Sequence, residues 1–200
     1  MVNAIIMASG YSTRMGKNKL MLPLKEKPII EHVIDAITKC KFNEIILVGQ
    51  EKKVLDIAKN KNILTILNTK PYKGQSQSIK LGILNTSSAK GYMFFTGDQP
   101  LLDSHTINLL LNKFINNNDY IVIPKYKNTV GSPTIFPEKF KNELLNLQGD
   151  IGGKIIINNH MNKILFVDLK NRYSLFDIDT PEDYEYIKKN LYQGCDSYDK

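Results

Sequence analysis

Residues 2–22 read VNAIIMASGYSTRMGKNKLML, a short apolar run followed by a turn of small polar residues and a group of cations. The apolar run predicts a buried first strand, and the small-residue loop after it exposes backbone N–H groups. The spacing matches neither the P-loop nor G-x-G-x-x-G, so the glycines alone fit a tight turn equally well. Ser9, Ser12, Arg14 and Lys19 in the same turn favour a polyphosphate site.

Beyond this loop, apolar runs alternate with helical patterns, which predicts an α/β sheet covered by helices on both faces. Further strands are predicted at 44–49, 63–67, 92–96, 120–126, 163–169 and 173–178. Helices are predicted at 28–40, 51–59, 79–84, 104–116, 138–147 and 152–160, with a last one after Thr180. The two late strands suggest an antiparallel addition to a mostly parallel sheet. Pro124 predicts an edge or bent strand at 120–126, and Ser104 is a candidate cap for the helix at 104–116.

Composition limits the class of protein. The 200 residues are 42% hydrophobic and 24% charged, which predicts one globular domain over 1–193 and a polar tail at 194–200. The net charge is +7, and the Lys and Arg residues are scattered along the chain. This pattern favours a solvated basic surface and not a nucleic-acid site. Such a surface would help to attract an anionic substrate. Two distant cysteines do not suggest a disulfide framework or metal cluster. We expect a soluble, cytoplasmic protein without a membrane partner, because no apolar run approaches ~20 residues and no signal sequence is recognisable.

Two aspartates follow predicted strands. Asp98 stands where the run 92–96 ends in GDQP, at the edge where open α/β sheets bind ligands. From the residues alone, a metal ligand and a turn cap fit it equally well. In DIDTPED near the end of the chain, Thr180 and Asp183 are accounted for as helix caps. Asp179 is not, and two neighbouring acids in a strand are costly unless paired or coordinated.

Two further segments carry polar groups at predicted helix starts. Residues 68–78, NTKPYKGQSQS, can cap the following helix or hydrogen-bond a base edge. In GDIGGK, residues 149–154, two interpretations compete. Asp150 caps the helix at 152–160, or the backbone amides at that N-terminus receive a phosphate.

Taken in order, these segments resemble the MobA/MocA-like nucleotidyltransferases, and especially their molybdenum cofactor cytidylyltransferase branch. Residues 7–19, MASGYSTRMGKNK, resemble the signature L-A-A-G-x-S-x-R-M-G-x-x-K, with Met7 and Ser9 in place of Leu and the second Ala. The later signatures are Gly-x-x-x-Ser at 74–78, G-D-[MQ]-P at 97–100, G-x-P-x-x-F at 131–136, G-D-x-G-A-R at 149–154 and D-x-D-T-P-E-D at 177–183. The resemblance covers residues 3–188 and implies a three-layer, Rossmann-like nucleotidyltransferase fold of GT-A-like type.

The resemblance also implies roles for the matching residues. The implied nucleotide-binding residues are Ala8, Ser9, Gly10, Ser12, Arg14, Gly16, Lys19, Gly74, Gln75, Ser78 and Asp98. The implied acceptor-binding residues are Pro133, Gly149, Asp150, Gly152 and Lys154. Asp98 and Asp179 would bind Mg²⁺, and whether Asp177 joins them stays open. Arg14, Lys19 and Asp98 would be catalytic, the two cations neutralising the β and γ phosphates as pyrophosphate leaves. Lys154 replaces Arg, which keeps the charge and loses the bidentate fork.

The implied reaction transfers CMP from CTP to the terminal phosphate of molybdenum-molybdopterin and releases pyrophosphate. The acceptor phosphate is ionised near neutral pH, so no protein base is needed. Ser9 stands at a position where related enzymes differ according to the base that they use. The choice between CTP and another NTP as the substrate therefore stays open. A guanylyltransferase or a sugar-phosphate nucleotidyltransferase fits the same motifs. A non-catalytic protein that delivers the cofactor to a molybdenum hydroxylase is the alternative from another class.

Overall fold

The computed structural model describes residues 1–11, 15–16 and 18–193, the last three of them for the backbone alone. The predicted tail at 194–200 lies outside the described residues. In chain order the described strands are β1 (Val2–Ala8), β2 (Pro23–Leu24), β3 (Lys27–Pro28), β4 (Ile45–Gly49), β5 (Leu64–Leu67), β6 (Gly91–Thr96), β7 (Ile121–Tyr126), β8 (Thr129–Val130), β9 (Thr134–Pro137) and β10 (Ile164–Asp168). The helices are α1 (Ile29–Thr38), α2 (Lys52–Asn60), α3 (Gln75–Leu84), α4 (Ser104–Ile115), α5 (Lys141–Asn146), α6 (Lys154–Asn159) and α7 (Pro181–Gln193).

The main sheet has β1 as an interior strand, between β6 and β4. Its strand order is β10-β7-β9-β6-β1-β4-β5, with β8 paired to β7, while β2 and β3 form a separate hairpin. Ile5 of β1 pairs in register with Ile46 of β4 and Phe94 of β6, and both neighbours run parallel to β1. Six of the seven residues of β1 are buried, as a strand covered on both faces requires. The prediction of a mostly parallel α/β sheet is confirmed.

Successive side chains of β1 point to opposite faces of the sheet, so this strand contributes to two cores. Ile6 packs into a cluster with residues of α1, α2 and α4. Ile5 packs into a second cluster with residues of α3, α5 and α6. A third cluster joins Leu24 of the hairpin to Ile178 and to Ile187 of α7. No helix in the described ranges is both long and apolar enough to cross a membrane.

The antiparallel part of the sheet lies elsewhere than predicted. β10 runs parallel to β7, and residues 173–178 form no strand but begin with a 3-10 helix at Tyr173–Leu175. The reason is that Ile178 packs with the hairpin and α7, away from the sheet. The antiparallel strands are β9, which lies between β6 and β7, and the short β8, which pairs with β7.

Pro124 does not mark an edge strand, because β7 lies between β9 and β10. On one side of β7, Val122 pairs with β9, and Lys125 pairs with Val130 of β8. Pro124 falls between these two pairings, and a break in the ladder tolerates a residue without an N–H.

Capping explains two helix starts. Asp103, not the predicted Ser104, caps α4, because its Oδ1 accepts a hydrogen bond from the Thr106 N–H at 2.6 Å. The predicted cap of the last helix is confirmed. The Asp183 N–H donates to Thr180 Oγ1 at 3.2 Å, and the Thr180 N–H donates to Asp183 Oδ2 at 2.8 Å.

Gly82 sets how closely α3 approaches β1. A Cβ at this position would overlap the Ile5 side chain. We expect Gly82→Val to lower the free energy of unfolding by about 2 kcal/mol, because overpacking a buried contact costs more than the helix gains from replacing glycine. Urea unfolding measures the change. Leu84→Val, at an exposed position of the same helix, is the control and should change stability by no more than about 0.5 kcal/mol. An equal effect of both variants would contradict the packing argument.

Candidate functional site

The carboxyl ends of β1 and β6 meet at one edge of the sheet, because the two strands are parallel neighbours. Ser9 and Gly10 follow β1 there, and Asp98 follows β6. Ser9 Oγ donates a hydrogen bond to the Val48 carbonyl at 3.2 Å, and Gln50 Nε2 donates to the Gly10 carbonyl at 3.0 Å. The end of β4 therefore fixes the Ser-Gly turn next to Asp98.

Lys19 brings a cation to this edge. It begins a short 3-10 helix, Lys19–Met21, in which Leu20 is buried. The Lys19 ammonium lies 2.5 Å from Asp98 Oδ2 and 2.8 Å from Asp179 Oδ1. Burial opposes the charge on the ammonium, but the two carboxylates outweigh burial and raise the pKa of Lys19 above its ordinary value. Lys19 therefore stays charged and joins two carboxylates that are distant in sequence.

A backbone hydrogen bond aligns the two acidic segments. The Ile178 N–H donates to the Asp98 carbonyl at 3.0 Å, which places the segment before α7 beside the end of β6. The Asp98 side chain is 16% exposed and that of Asp179 is 49% exposed. Asp98 Oδ1 is buried without a hydrogen-bond partner among the described residues. A bound cation would satisfy this buried oxygen.

Asp177 is a third carboxylate close to the pair. Thr96 Oγ1 donates to Asp177 Oδ1 at 3.5 Å. Although the residue reaches solvent, surrounding protein displaces much of the nearby water, and this desolvation is the largest cause that raises the pKa of Asp177 to about 7. The charges of Asp98 and Asp179 raise it further, and Lys19 opposes them. Within the described ranges, no three Asp, Glu, His or Cys side chains form a ready metal site, so Asp98 and Asp179 remain the candidate pair.

A cavity of about 530 Å³ opens beside this cluster. Most of the predicted nucleotide-binding residues that the structure describes line it: Ala8, Ser9, Gly10, Lys19, Gly74, Gln75, Ser78 and Asp98. Gly16 does not line it. The predictions for Ser12 and Arg14 concern residues outside the described ranges.

Two aromatic side chains in this cavity were not predicted. Tyr11 and Tyr72 both line it, and they are 56% and 69% exposed. The sequence pattern that could have identified them is a single aromatic residue within an otherwise polar loop. Exposed aromatic rings in a cavity of this kind can stack on a planar ligand.

A second cavity, of about 790 Å³, adjoins the first. Its walls are mainly apolar side chains from α6 and from the strands at the β10 side of the sheet. Of the predicted acceptor-binding residues, Asp150, Gly152 and Lys154 line it, whereas Pro133 and Gly149 do not. Gln75 and Asp150 line both cavities.

Asp150 caps a different helix from the one predicted. Its Oδ1 accepts a hydrogen bond from the Gln75 N–H at 3.1 Å, at the start of α3. The helix predicted at 152–160 corresponds to the shorter α6. Its N-cap residue is Gly153, and no described side chain caps this helix. Of the two interpretations of residues 149–154, the one in which Asp150 caps the later helix is therefore wrong, because the tertiary fold places its carboxylate at the start of α3.

Comparison with known proteins agrees with the fold. Residues 4–164 match the family model of the MobA-like NTP transferase domain. The probable molybdenum cofactor guanylyltransferase of Natranaerobius thermophilus is 27% identical over 95% of this chain and 96% of its own. The molybdenum cofactor cytidylyltransferase of Escherichia coli is 26% identical over 92% of this chain and 93% of its own.

Among solved structures, the homologue of Mycobacterium tuberculosis Rv0371c from Mycobacterium sp. strain JC1 has a TM-score of 0.82 and 22% identity, and the match covers 96% of each chain. This likeness supports the α/β fold with its mostly parallel sheet.

Lys19→Met tests the ion cluster. We expect it to lower the free energy of unfolding by about 1–2 kcal/mol, because it leaves the largely buried Asp98 without the cation, while solvent screens Asp179. Urea unfolding in buffer with EDTA measures the change. Lys19→Met/Asp98→Asn should lose less stability than Lys19→Met alone. Additive losses in the double variant would show that the two side chains are not coupled.

Proposed function

The chain belongs to the MobA-like NTP transferase domain family and is a nucleotidyltransferase, and from this premise we propose that it transfers CMP from CTP to the terminal phosphate of molybdenum-molybdopterin, releasing pyrophosphate. The observation that carries the proposal is the Lys19 ammonium between the carboxylates of Asp98 and Asp179, at the wall of a cavity large enough for a nucleotide. Cations and acidic metal ligands beside a loop of backbone donors suit displacement at phosphorus.

In this proposal the nucleotide occupies the 530 Å³ cavity. The Ser9–Gly10 turn supplies backbone donors for the triphosphate, and Lys19 neutralises charge on the β and γ phosphates together with Arg14. Gln75 and Ser78 face the same cavity from α3 and offer amide and hydroxyl groups to the base and ribose.

The acidic pair fits Mg²⁺. Asp98 Oδ1 is a buried acceptor without a partner among the described residues, and Asp98 and Asp179 already converge on one cation, the Lys19 ammonium. Mg²⁺ prefers carboxylate and phosphate oxygens and keeps several waters, so two aspartates suffice as protein ligands. Bound Mg²⁺ would supply Lewis-acid polarisation of the α phosphate. Asp98 and Asp179 would hold it, and Lys19 would then move its contact to the phosphates.

The second cavity suits the acceptor. Its apolar walls can cover a planar ring system, and Lys154 adds a positive charge at its lining for an acceptor phosphate. None of the described lining residues of either cavity is histidine, cysteine or glutamate. In this proposal the acceptor phosphate, which is ionised near neutral pH, attacks without a protein base. Positioning of the two substrates would then contribute most of the rate, an effect worth ~7–11 kcal/mol in well-oriented reactions.

Two observations bear on the base. The ordered signatures resemble the cytidylyltransferase branch, and the E. coli relative carries that activity in its name. The N. thermophilus relative, named a probable guanylyltransferase, favours GTP as the second candidate. The Ser9 hydroxyl donates to the Val48 carbonyl, so this departure from the family signature does not by itself oppose CTP.

Pyrophosphate release with a panel of substrates tests the proposed function. With MgCl₂, the purified protein should release pyrophosphate from CTP only when molybdenum-molybdopterin is present, and kcat/KM for CTP should exceed that for GTP at least about tenfold, since one site must hydrogen-bond one base edge. A preference for GTP would make the protein a guanylyltransferase. Turnover of UTP with a sugar phosphate would show that the acceptor is a sugar phosphate and not molybdenum-molybdopterin. Tight cofactor binding with no turnover of any NTP would favour a delivery protein.

Asp98→Asn tests the metal ligand. We expect kcat to fall by about two orders of magnitude or more, because the variant loses a charged oxygen from the metal pair. Circular dichroism and thermal unfolding should show an intact fold. Asp103→Asn is a matched control, since Asn still caps α4 and this side chain lies outside both cavity linings. Turnover of Asp98→Asn within about tenfold of the wild type would remove Asp98 from the mechanism.

A further inference from the structure

Residues 149 and 150 are attached to the first turn of α3, and Asp150 lines both cavities. The Gln75 N–H donates to Asp150 Oδ1 at 3.1 Å, and the Ser76 N–H donates to the Gly149 carbonyl at 3.4 Å. Both donors belong to the N-terminal turn, whose amides have no partners within the helix. Gly74, the residue before α3, has no side chain with which to cap it. Residues 149 and 150 therefore supply the cap that the local sequence lacks.

Close packing reinforces these hydrogen bonds. Gly74 has a φ of +77°, and a Cβ there would lie 2.5 Å from the Cα and N atoms of Asp150. A Cβ at Gly152 would overlap the side-chain amide of Gln75. Two glycines thus allow the backbone of one segment to touch the start of the other. The position of α3 is consequently tied to that of Asp150.

The attachment lies where it affects the nucleotide cavity. Gln75 and Ser78, from the first turn of α3, line that cavity. A carboxylate at a helix N-terminus is stabilised by the helix dipole, and it keeps other anions away from the same amides. In the proposed complex the start of α3 would therefore face the uncharged end of the nucleotide, and the triphosphate would lie toward Lys19.

We propose that Asp150 is a positioning residue for the nucleotide: it holds the first turn of α3 in place through the Gln75 N–H, and it does not bind the acceptor. This inference rests on the proposed function in that a nucleotide occupies the first cavity. It differs from the role that the sequence resemblance implies, because a carboxylate oxygen of Asp150 is already engaged by α3.

Nucleotide binding without an acceptor tests this role. Calorimetric titration with CTP and with GTP, each with MgCl₂, measures Kd for the wild type, Asp150→Ala and Asp150→Asn. We expect Asp150→Ala to raise Kd about fivefold, the effect of losing one helix cap, and Asp150→Asn to stay within about twofold, because Asn caps as well as Asp. Asp119→Ala removes an exposed carboxylate outside both cavity linings and serves as the charge control.

Steady-state kinetics separate the two roles. In Asp150→Ala the KM for the nucleotide should rise, while kcat and the KM for molybdenum-molybdopterin stay within about twofold of the wild type. If instead both variants raise the KM of the acceptor and leave nucleotide Kd unchanged, Asp150 binds the acceptor and the proposal is overturned. An unchanged nucleotide Kd in Asp150→Ala overturns it as well.

Amide hydrogen exchange provides a readout that needs no substrate. The amides of Gln75 and Ser76 should exchange faster in Asp150→Ala than in the wild type and should be restored in Asp150→Asn. Should the wild type bind neither CTP nor GTP, the proposed function fails, and exchange still decides whether Asp150 fixes α3. Unchanged exchange in Asp150→Ala would then overturn the positioning role.

Discussion

The candidate site depends on one ammonium group that contacts two carboxylates. Lys19 comes from the loop after β1, Asp98 from the end of β6 and Asp179 from the segment before α7. The two negative carboxylates repel each other, and the positive charge of the Lys19 ammonium between them compensates this repulsion. The parallel pairing of β1 with β6 and the hydrogen bond from the Ile178 N–H to the Asp98 carbonyl hold the three segments together. Without this arrangement the two carboxylates would not converge at the edge of the cavity.

This ionic cluster accounts for the kind of chemistry that we propose. A nucleotidyltransferase needs charge compensation at the phosphates and a correctly oriented acceptor more than it needs a proton-transfer group. The described walls of the two cavities agree, since the first carries Lys19, Asp98 and Asp179 beside two tyrosines, and the second is lined mainly by apolar side chains. Gln75 and Asp150 belong to both. The two substrates would therefore meet across a segment that the fold holds in position.

Much of the fold and part of the site could be predicted from the sequence, since both depend on local patterns. The apolar run of β1, the Ser9–Gly10 turn and the capping pair Thr180 and Asp183 are each specified by residues close in the chain. The position of Asp98 at the end of a buried strand also follows locally. The order of the family signatures then related these segments to one reaction, although the residue roles remain proposals.

The sequence by itself determined the α/β class, most strand and helix positions and the segments that carry polar groups, because periodicity and capping act over a few residues. Only the tertiary structure decided which distant groups pair. It inserted β9 as an antiparallel strand between β6 and β7, placed the Asp150 carboxylate at the start of α3, and brought Tyr11 and Tyr72 to one cavity. Contacts between residues far apart in the chain depend on how the whole sheet and its helices pack, and no local pattern encodes them.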